Sequence, residues 1–124
     1  MPSWTPNRED VRFDAGLAAK AATECDEVAA RLGTQASAMA APADAARADW
    51  TGRTRTDFDA GMDRLASERS TTGAALTALA ERIRAAAAAA RAEQDHRVAE
   101  RARWQRELEA EQAANPPCQP HRPC

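Results

Sequence analysis

The amino-acid sequence predicts an all-α protein: an antiparallel two-helix hairpin with a long second helix, pairing with a second hairpin into a four-helix bundle dimer. Three observations carry this. First, the 124 residues include 33 alanines but only twelve Leu, Ile, Val or Phe. That is about a tenth of the chain, below what a compact core draws on. Second, tyrosine is absent and β-branched residues other than Thr are few, which excludes a β-sandwich or a doubly wound sheet. Third, two long stretches carry apolar residues at steps of three or four, the period of an amphipathic helix. Charged residues make up 29% with a net charge of only -2, so the chain is not a charge-driven disordered polymer.

The elements follow in order. Residues 1–8 contain Pro2 and Pro6 and are expected to form a flexible N-terminal arm, with Trp4 free to fold back or to anchor a partner. Asn7 is the expected N-cap of the first helix, with Glu9 and Asp10 placed for its N-terminal dipole. Residues 9–113 then form the hairpin. Phe13, Leu17, Ala21, Cys25, Val28, Leu32, Gln35 and Met39 recur at steps of three or four, the spacing of a seam of a helix packed lengthwise on another. Pro42 is expected to kink or restart this helix. A turn falls at residues 49–53, with Thr54 or Thr56 capping the next helix.

The second helix carries Phe58, Met62, Leu65, Arg69, Thr72, Leu76, Leu79, Ile83, Ala86 and Ala90 at the same spacing and runs on to about Ala113. Gly61 and Gly73 lie inside it, each costing about 1 kcal/mol relative to alanine. Close approach of the first helix is one reason to tolerate them. Helices of about 40 and about 58 residues span roughly 60 and 87 Å, so residues 91–113 should overhang. Residues 114–124 hold four prolines and no apolar seam and are expected to be disordered. Leu17, Val28, Leu32, Leu65, Leu76, Leu79 and Ile83 are the expected seam residues, within the hairpin and toward a partner.

The turn is the most informative stretch. It reads Trp50-Thr51-Gly52, with Phe58 eight residues after the tryptophan. Glycine supplies the backbone freedom and Trp50 a ring large enough to cover the open end between two helices. The pattern Leu79-Ala80-x-x-Ile83-x-x-Ala86-Ala87-x-x-Ala90 follows downstream. Over roughly Val11 to Asp95, this arrangement resembles the WxG family of small helical-hairpin proteins, the substrates of type VII (ESX) secretion. Trp50, Gly52 and Phe58 match the family's hairpin motif.

The resemblance implies a non-enzymatic protein that works by protein–protein interaction, as an exported effector subunit or as its homo- or heterodimeric partner. It also implies contact with the secretion ATPase through the tail of the second helix. Signal-bearing members have a tyrosine followed four residues later by an acid. Here those positions fall at Ala90 and Gln94, and the only substitute with the right spacing is His96 with Glu100. The departure implies a partner that carries the signal, or a retained relative. Two alternatives stay open: a cytosolic adaptor or chaperone pairing with a larger secreted helical protein, and a plain structural coiled-coil hairpin.

Other features point less far. Val98, Trp104 and Leu108 in the overhang are expected to dock into a groove on a partner, or else to lie on a solvated helix. Cys118-x-x-His121-x-x-Cys124 offers three soft ligands where a structural zinc site needs four, so no metal and no cofactor is expected. No P-loop, G-x-S-x-G, H-E-x-x-H or dinucleotide fingerprint is present, and a two-helix hairpin has little interior in which to build a pocket. Arginines and acids interleave between Glu81 and Glu109, which disfavours nucleic-acid binding. The opening MPSWTPNRED has no basic-plus-apolar signal pattern, and the run Ala85 to Ala90 is too short to span a bilayer. Taken with these absences, the resemblance implies a chain that leaves the cell by a signal-peptide-independent route, or that is cytoplasmic if retained.

Overall fold

The computed structural model describes residues 1–118. Among them there are two helices and no strand: α1, Ala15–Asp49, and α2, Gly52–Ala114. Contacts divide the chain into two compact units. One is Asp14–Ala87; the other joins Met1–Phe13 to the chain from Ala88 onward. Among the described residues, no helix is long and apolar enough to cross a membrane.

In the first unit, α1 and the part of α2 up to Ala87 pack as an antiparallel hairpin. The pairing is read from side chains that bridge the two: Arg84 to Asp26 at 2.6 Å, Arg69 to Met39 Sδ at 2.7 Å and Arg47 to Asp59 at 2.7 Å. Partner numbers fall on one helix as they rise on the other. The interior of this hairpin is alanine. Ala22, Ala43 and Ala80 are its buried apolar residues, and no large side chain is fully buried. Ala22 lies one turn before Asp26 on α1 and Ala80 one turn before Arg84 on α2, and because the helices run antiparallel the bridged pair sits between the two alanines.

This moves the seam by one position from the sequence reading. Ala18, Ala22, Cys25, Ala29 and Leu32 turn inward on α1, while Leu17 is 65% exposed. On α2, Gly73, Ala80 and Ala87 turn inward where Thr72, Leu79 and Ala86 were expected, and Leu79 is 43% exposed. Val28, Leu32, Leu65, Leu76 and Ile83 are half-buried. Both tracks satisfy the helical period, and at most of these positions the smaller residue of each neighbouring pair is the one turned inward.

Three boundaries also differ from expectation. Asn7 does not cap a helix; its Oδ1 accepts from Glu9 N at 2.9 Å, a local turn. The cap is Asp14, whose Oδ1 accepts from Leu17 N at 2.9 Å, with extended backbone at φ -93 and ψ 97. Helix α1 passes through Pro42 without a restart. Helix α2 begins at Gly52, ahead of both threonines, and Thr56 Oγ1 donates back to Gly52 O at 3.2 Å. Its end at Ala114 lies one residue beyond the expected Ala113. Gly61 and Gly73 are not sites of close approach: a Cβ added at either meets nothing within 4 Å. Instead, Gly33 and Gly73 help line a shallow groove of about 280 Å³.

Candidate functional site

Two sites stand out, one in each unit. The first is the hairpin turn. Trp50 ends α1 in extended geometry, φ -108 and ψ 141, and its N–H reaches back to Arg47 O at 3.4 Å. Two residues on, Gly52 has φ +67, a left-handed conformation that costs an L-residue about 1–2 kcal/mol. This reversal brings Phe58 against Trp50, ring centroids 4.8 Å apart at 82°, an edge-to-face pair. Trp50 remains 39% exposed, so it covers one side of the turn and presents the other to solvent.

A polar clasp holds the same turn. Arg47 Nε donates to Asp59 Oδ1 at 2.7 Å, and Arg55 Nε donates to Asp59 Oδ2 at 3.0 Å. Arg47 also reaches Asp44, and Arg55 Nη1 donates to Arg47 O at 2.9 Å, capping a terminal carbonyl of α1. The Arg47 hydrogen bond holds the Asp59 carboxyl below its ordinary value, with Arg55 adding to it, and Asp59 in turn raises the Arg47 guanidinium. The Arg47 guanidinium also lies 5.6 Å from the Phe58 ring centroid. Ring pair, glycine and ion clasp thus meet within a dozen residues.

The second site is the face of α2 beyond Ala88, together with residues 1–13. Of the two roles the sequence offered Trp4, folding back or anchoring a partner, the structure shows the first, and residues 1–8 lie along this helix. Trp4 Nε1 donates to Glu107 at 2.6 Å, and Arg103 sits 4.2 Å from the Trp4 ring centroid. Trp104 Nε1 donates to Trp4 O at 2.9 Å, and Arg8 lies 4.8 Å from the Trp104 ring centroid. Arg101 donates to the carbonyls of Asn7 and Glu9 and to the Asp10 carboxylate at 2.7–2.8 Å. Arg97 also reaches Glu9 O, and Gln94 both accepts from Val11 N and donates to Asp10. The Met1 ammonium pairs with Glu111, and Pro6 is buried.

Among the described residues the arm forms no backbone–backbone hydrogen bond; helix side chains take up the carbonyls of Trp4, Asn7 and Glu9. Buried or covered backbone groups must find partners, and here arginine, glutamine and the Trp104 indole supply them. Asp10 is held below the ordinary 3.8 by its hydrogen bond from Gln94 and then by Arg101.

Comparison with known protein families, curated proteins and solved structures finds no match to this chain. The geometry therefore stands on its own.

Of the sequence-selected residues, the structure brings Trp50, Gly52 and Phe58 together at the turn. Trp104 and Leu108 are half-buried, and Trp104 is bonded to the chain's own arm. Val98 is 52% exposed. Sequence reading missed Arg97, Arg101 and Gln94 as arm-binding residues. Their signal was present: they continue the inward period through Ala87, Ala90, Gln94, Arg97, Arg101, Trp104 and Leu108. Here the polar residues at these positions meet the polar backbone and the Asp10 side chain of the arm. Cys25 is half-buried with a free thiol. His121 and Cys124 lie outside the described residues, as does the tail beyond Cys118.

Proposed function

We propose that this chain is a small WxG-type protein of a type VII (ESX) secretion system, an exported subunit or the dimer partner of one, acting by protein–protein interaction and not by catalysis. The observation that carries this reading is the turn. Trp50 packs edge-to-face on Phe58 at 4.8 Å, and Gly52 takes φ +67 where the two helices meet. A Trp-x-Gly triplet occurs by chance in many sequences, but here its tryptophan and glycine serve distinct roles at a helix–helix junction.

The functional unit is a dimer, in which a second helical hairpin completes a four-helix bundle. Two features support this. The hairpin fully buries no large side chain, and Leu17 and Leu79 are left exposed on its surface. Burial of such a side chain contributes roughly 1.5–3 kcal/mol, a gain that a partner hairpin would realise. Contact with the secretion ATPase belongs to the α2 face carrying Val98, Trp104 and Leu108.

The retained-adaptor reading is the second candidate, and one observation favours it. Gln94 stands where the export signal requires an acid, and its side chain is already engaged with Asp10 and Val11 of the arm. Fractionation of the native host with and without an active type VII ATPase separates the two. The exported-subunit reading expects the chain in the medium only when the ATPase is active. Retention in the cytosol while other substrates leave would overturn it in favour of the adaptor.

A further inference from the structure

The α2 face from Gln94 to Glu111 is organised to hold an extended polypeptide. Three of its donors, Arg97, Arg101 and Trp104, point at main-chain carbonyls, those of Trp4, Asn7 and Glu9. Carbonyl readout of this kind requires a segment whose backbone is not already bonded to itself. The arm meets that condition, with no backbone–backbone hydrogen bond of its own, as in the polyproline class of recognition. Its direction is set as well. Met1 lies at Glu111 and Val11 at Gln94, so the arm runs antiparallel to the helix. The ten steps from Met1 to Val11 cover the seventeen from Glu111 back to Gln94, about 25 Å at 1.5 Å per residue, or about 2.5 Å per arm step. A helical arm could not reach.

Side chains add selectivity at three points. The Trp4 indole bonds Glu107 and lies under Arg103, Pro6 is buried, and Asp10 is held by Arg101 and Gln94. Together they define the pattern Trp-x-Pro-x-x-x-Asp, read on an extended backbone. The remaining arm contacts are main-chain, or lie at exposed side chains such as Arg8.

We propose that this face is a docking site for an extended partner segment bearing Trp-x-Pro-x-x-x-Asp, and that residues 1–11 are its built-in occupant, exchanged when such a segment arrives. The occupant seated on the face is the argument for the partner's chemistry. An exchangeable strap also accounts for so polar a contact: it is made of surface hydrogen bonds and ion pairs, which water can replace. A tethered segment competes at an effective concentration on the order of millimolar, so the strap sets a threshold that only a better or higher-avidity segment passes. The inference does not depend on the secretion reading: export can fail while this site binds, and the reverse.

The test uses the full chain carrying Trp4→Ala and Asp10→Ala, which weakens the arm and leaves the α2 face intact. The probe is a synthetic peptide of residues 1–13, followed through the Trp104 indole N–H signal. Saturable binding at least tenfold tighter than to the unaltered chain is expected, lost when Arg101→Ala is added and lost with a peptide carrying Trp4→Ala. No saturable binding, or equal binding by the unaltered chain, overturns the proposal. The unaltered chain supplies a second measurement that needs no variant. Its Trp4 and Trp104 indole hydrogens should exchange slowly and speed up as peptide is added; unprotected indoles without peptide would refute the site. Exchange of arms between isotopically distinct copies, growing with chain concentration, would reassign the occupant to a second copy and overturn the partner assignment.

Discussion

Gly52 and Gly73 are both glycines of α2, and their substitutions should have opposite signs. At Gly52 the backbone sits at φ +67, while an added Cβ meets nothing within 4 Å. The whole cost of Gly52→Ala is therefore conformational, about 1–2 kcal/mol, and Gly52→Asn should cost less because asparagine tolerates the left-handed region. At Gly73 there is open space and ordinary helical backbone. Gly73→Ala should stabilise the hairpin by up to about 1 kcal/mol, with the same direction for Gly61→Ala. Thermal melts of the four single variants check both signs. A Gly52→Ala chain that melts with the unaltered protein would remove the turn's backbone argument.

Asp10 gives a pH prediction at the same scale. Its folded pKa is lowered, first by the Gln94 hydrogen bond and then by Arg101. A lowered carboxylate contributes stability that is present above its unfolded value and is lost as pH falls through the folded one. Release of the arm on acidification is therefore expected below the ordinary 3.8. Asp10→Asn should weaken the arm contact at neutral pH and flatten this acid limb, read from the Trp104 indole N–H signal between pH 6 and pH 2.5. An unchanged profile would assign arm release to other carboxylates.

At the scale of elements, α2 presents one continuous period to two different neighbours. Up to Ala87 the inward positions are mostly Phe, Met, Leu, Ile, Ala and Gly, with Arg69 among them reaching Met39, and they meet the alanine-rich α1. Beyond Ala88 they become Gln94, Arg97, Arg101 and Trp104, and they meet an extended arm. The residue type at the seam tells which kind of neighbour it has. Helices cover apolar groups, whereas an unpaired backbone needs donors. The expectation of a helix from residue 9 failed for this reason. A helical turn across Asn7–Val11 would bond those carbonyls internally and leave Arg97 and Arg101 without them. Arg101→Ala removes three arm contacts at once. It should raise hydrogen exchange across residues 4–11 while leaving exchange in 18–47 unchanged, since the hairpin unit does not use Arg101.

At the scale of the whole molecule, the buried residues among those described are three alanines, Ala22, Ala43 and Ala80, and Pro6 of the arm. Alanine removes little apolar surface from water compared with leucine, while helix backbones pay their ordering entropy regardless of side chain. The proposed dimer follows from that imbalance. Sedimentation should give a dimer mass at micromolar concentration, with a melting temperature that rises with chain concentration. Leu17→Glu or Leu79→Glu should shift the equilibrium toward monomer, both residues being exposed in the hairpin. A monomer that melts cooperatively and independently of concentration would refute the bundle.

Much of this molecule is legible from its amino acids alone. The three-or-four-step periodicity determines two helices, the Trp50-Thr51-Gly52 break determines where they part, and alanine content determines that the contact between them is thin. These are local properties, set by backbone preference and the spacing of side chains along one helix. The choice between Leu17 and Ala18, or Leu79 and Ala80, was decided only in the tertiary structure, because either stripe satisfies the period and only packing against the other helix selects between them. The fate of residues 1–13 was decided there too. Their order comes from Gln94, Arg97, Arg101 and Trp104, some eighty to a hundred residues away. A short proline-bearing segment with no backbone–backbone hydrogen bonds of its own does not announce its conformation, so its structure belongs to the helix whose side chains bond it.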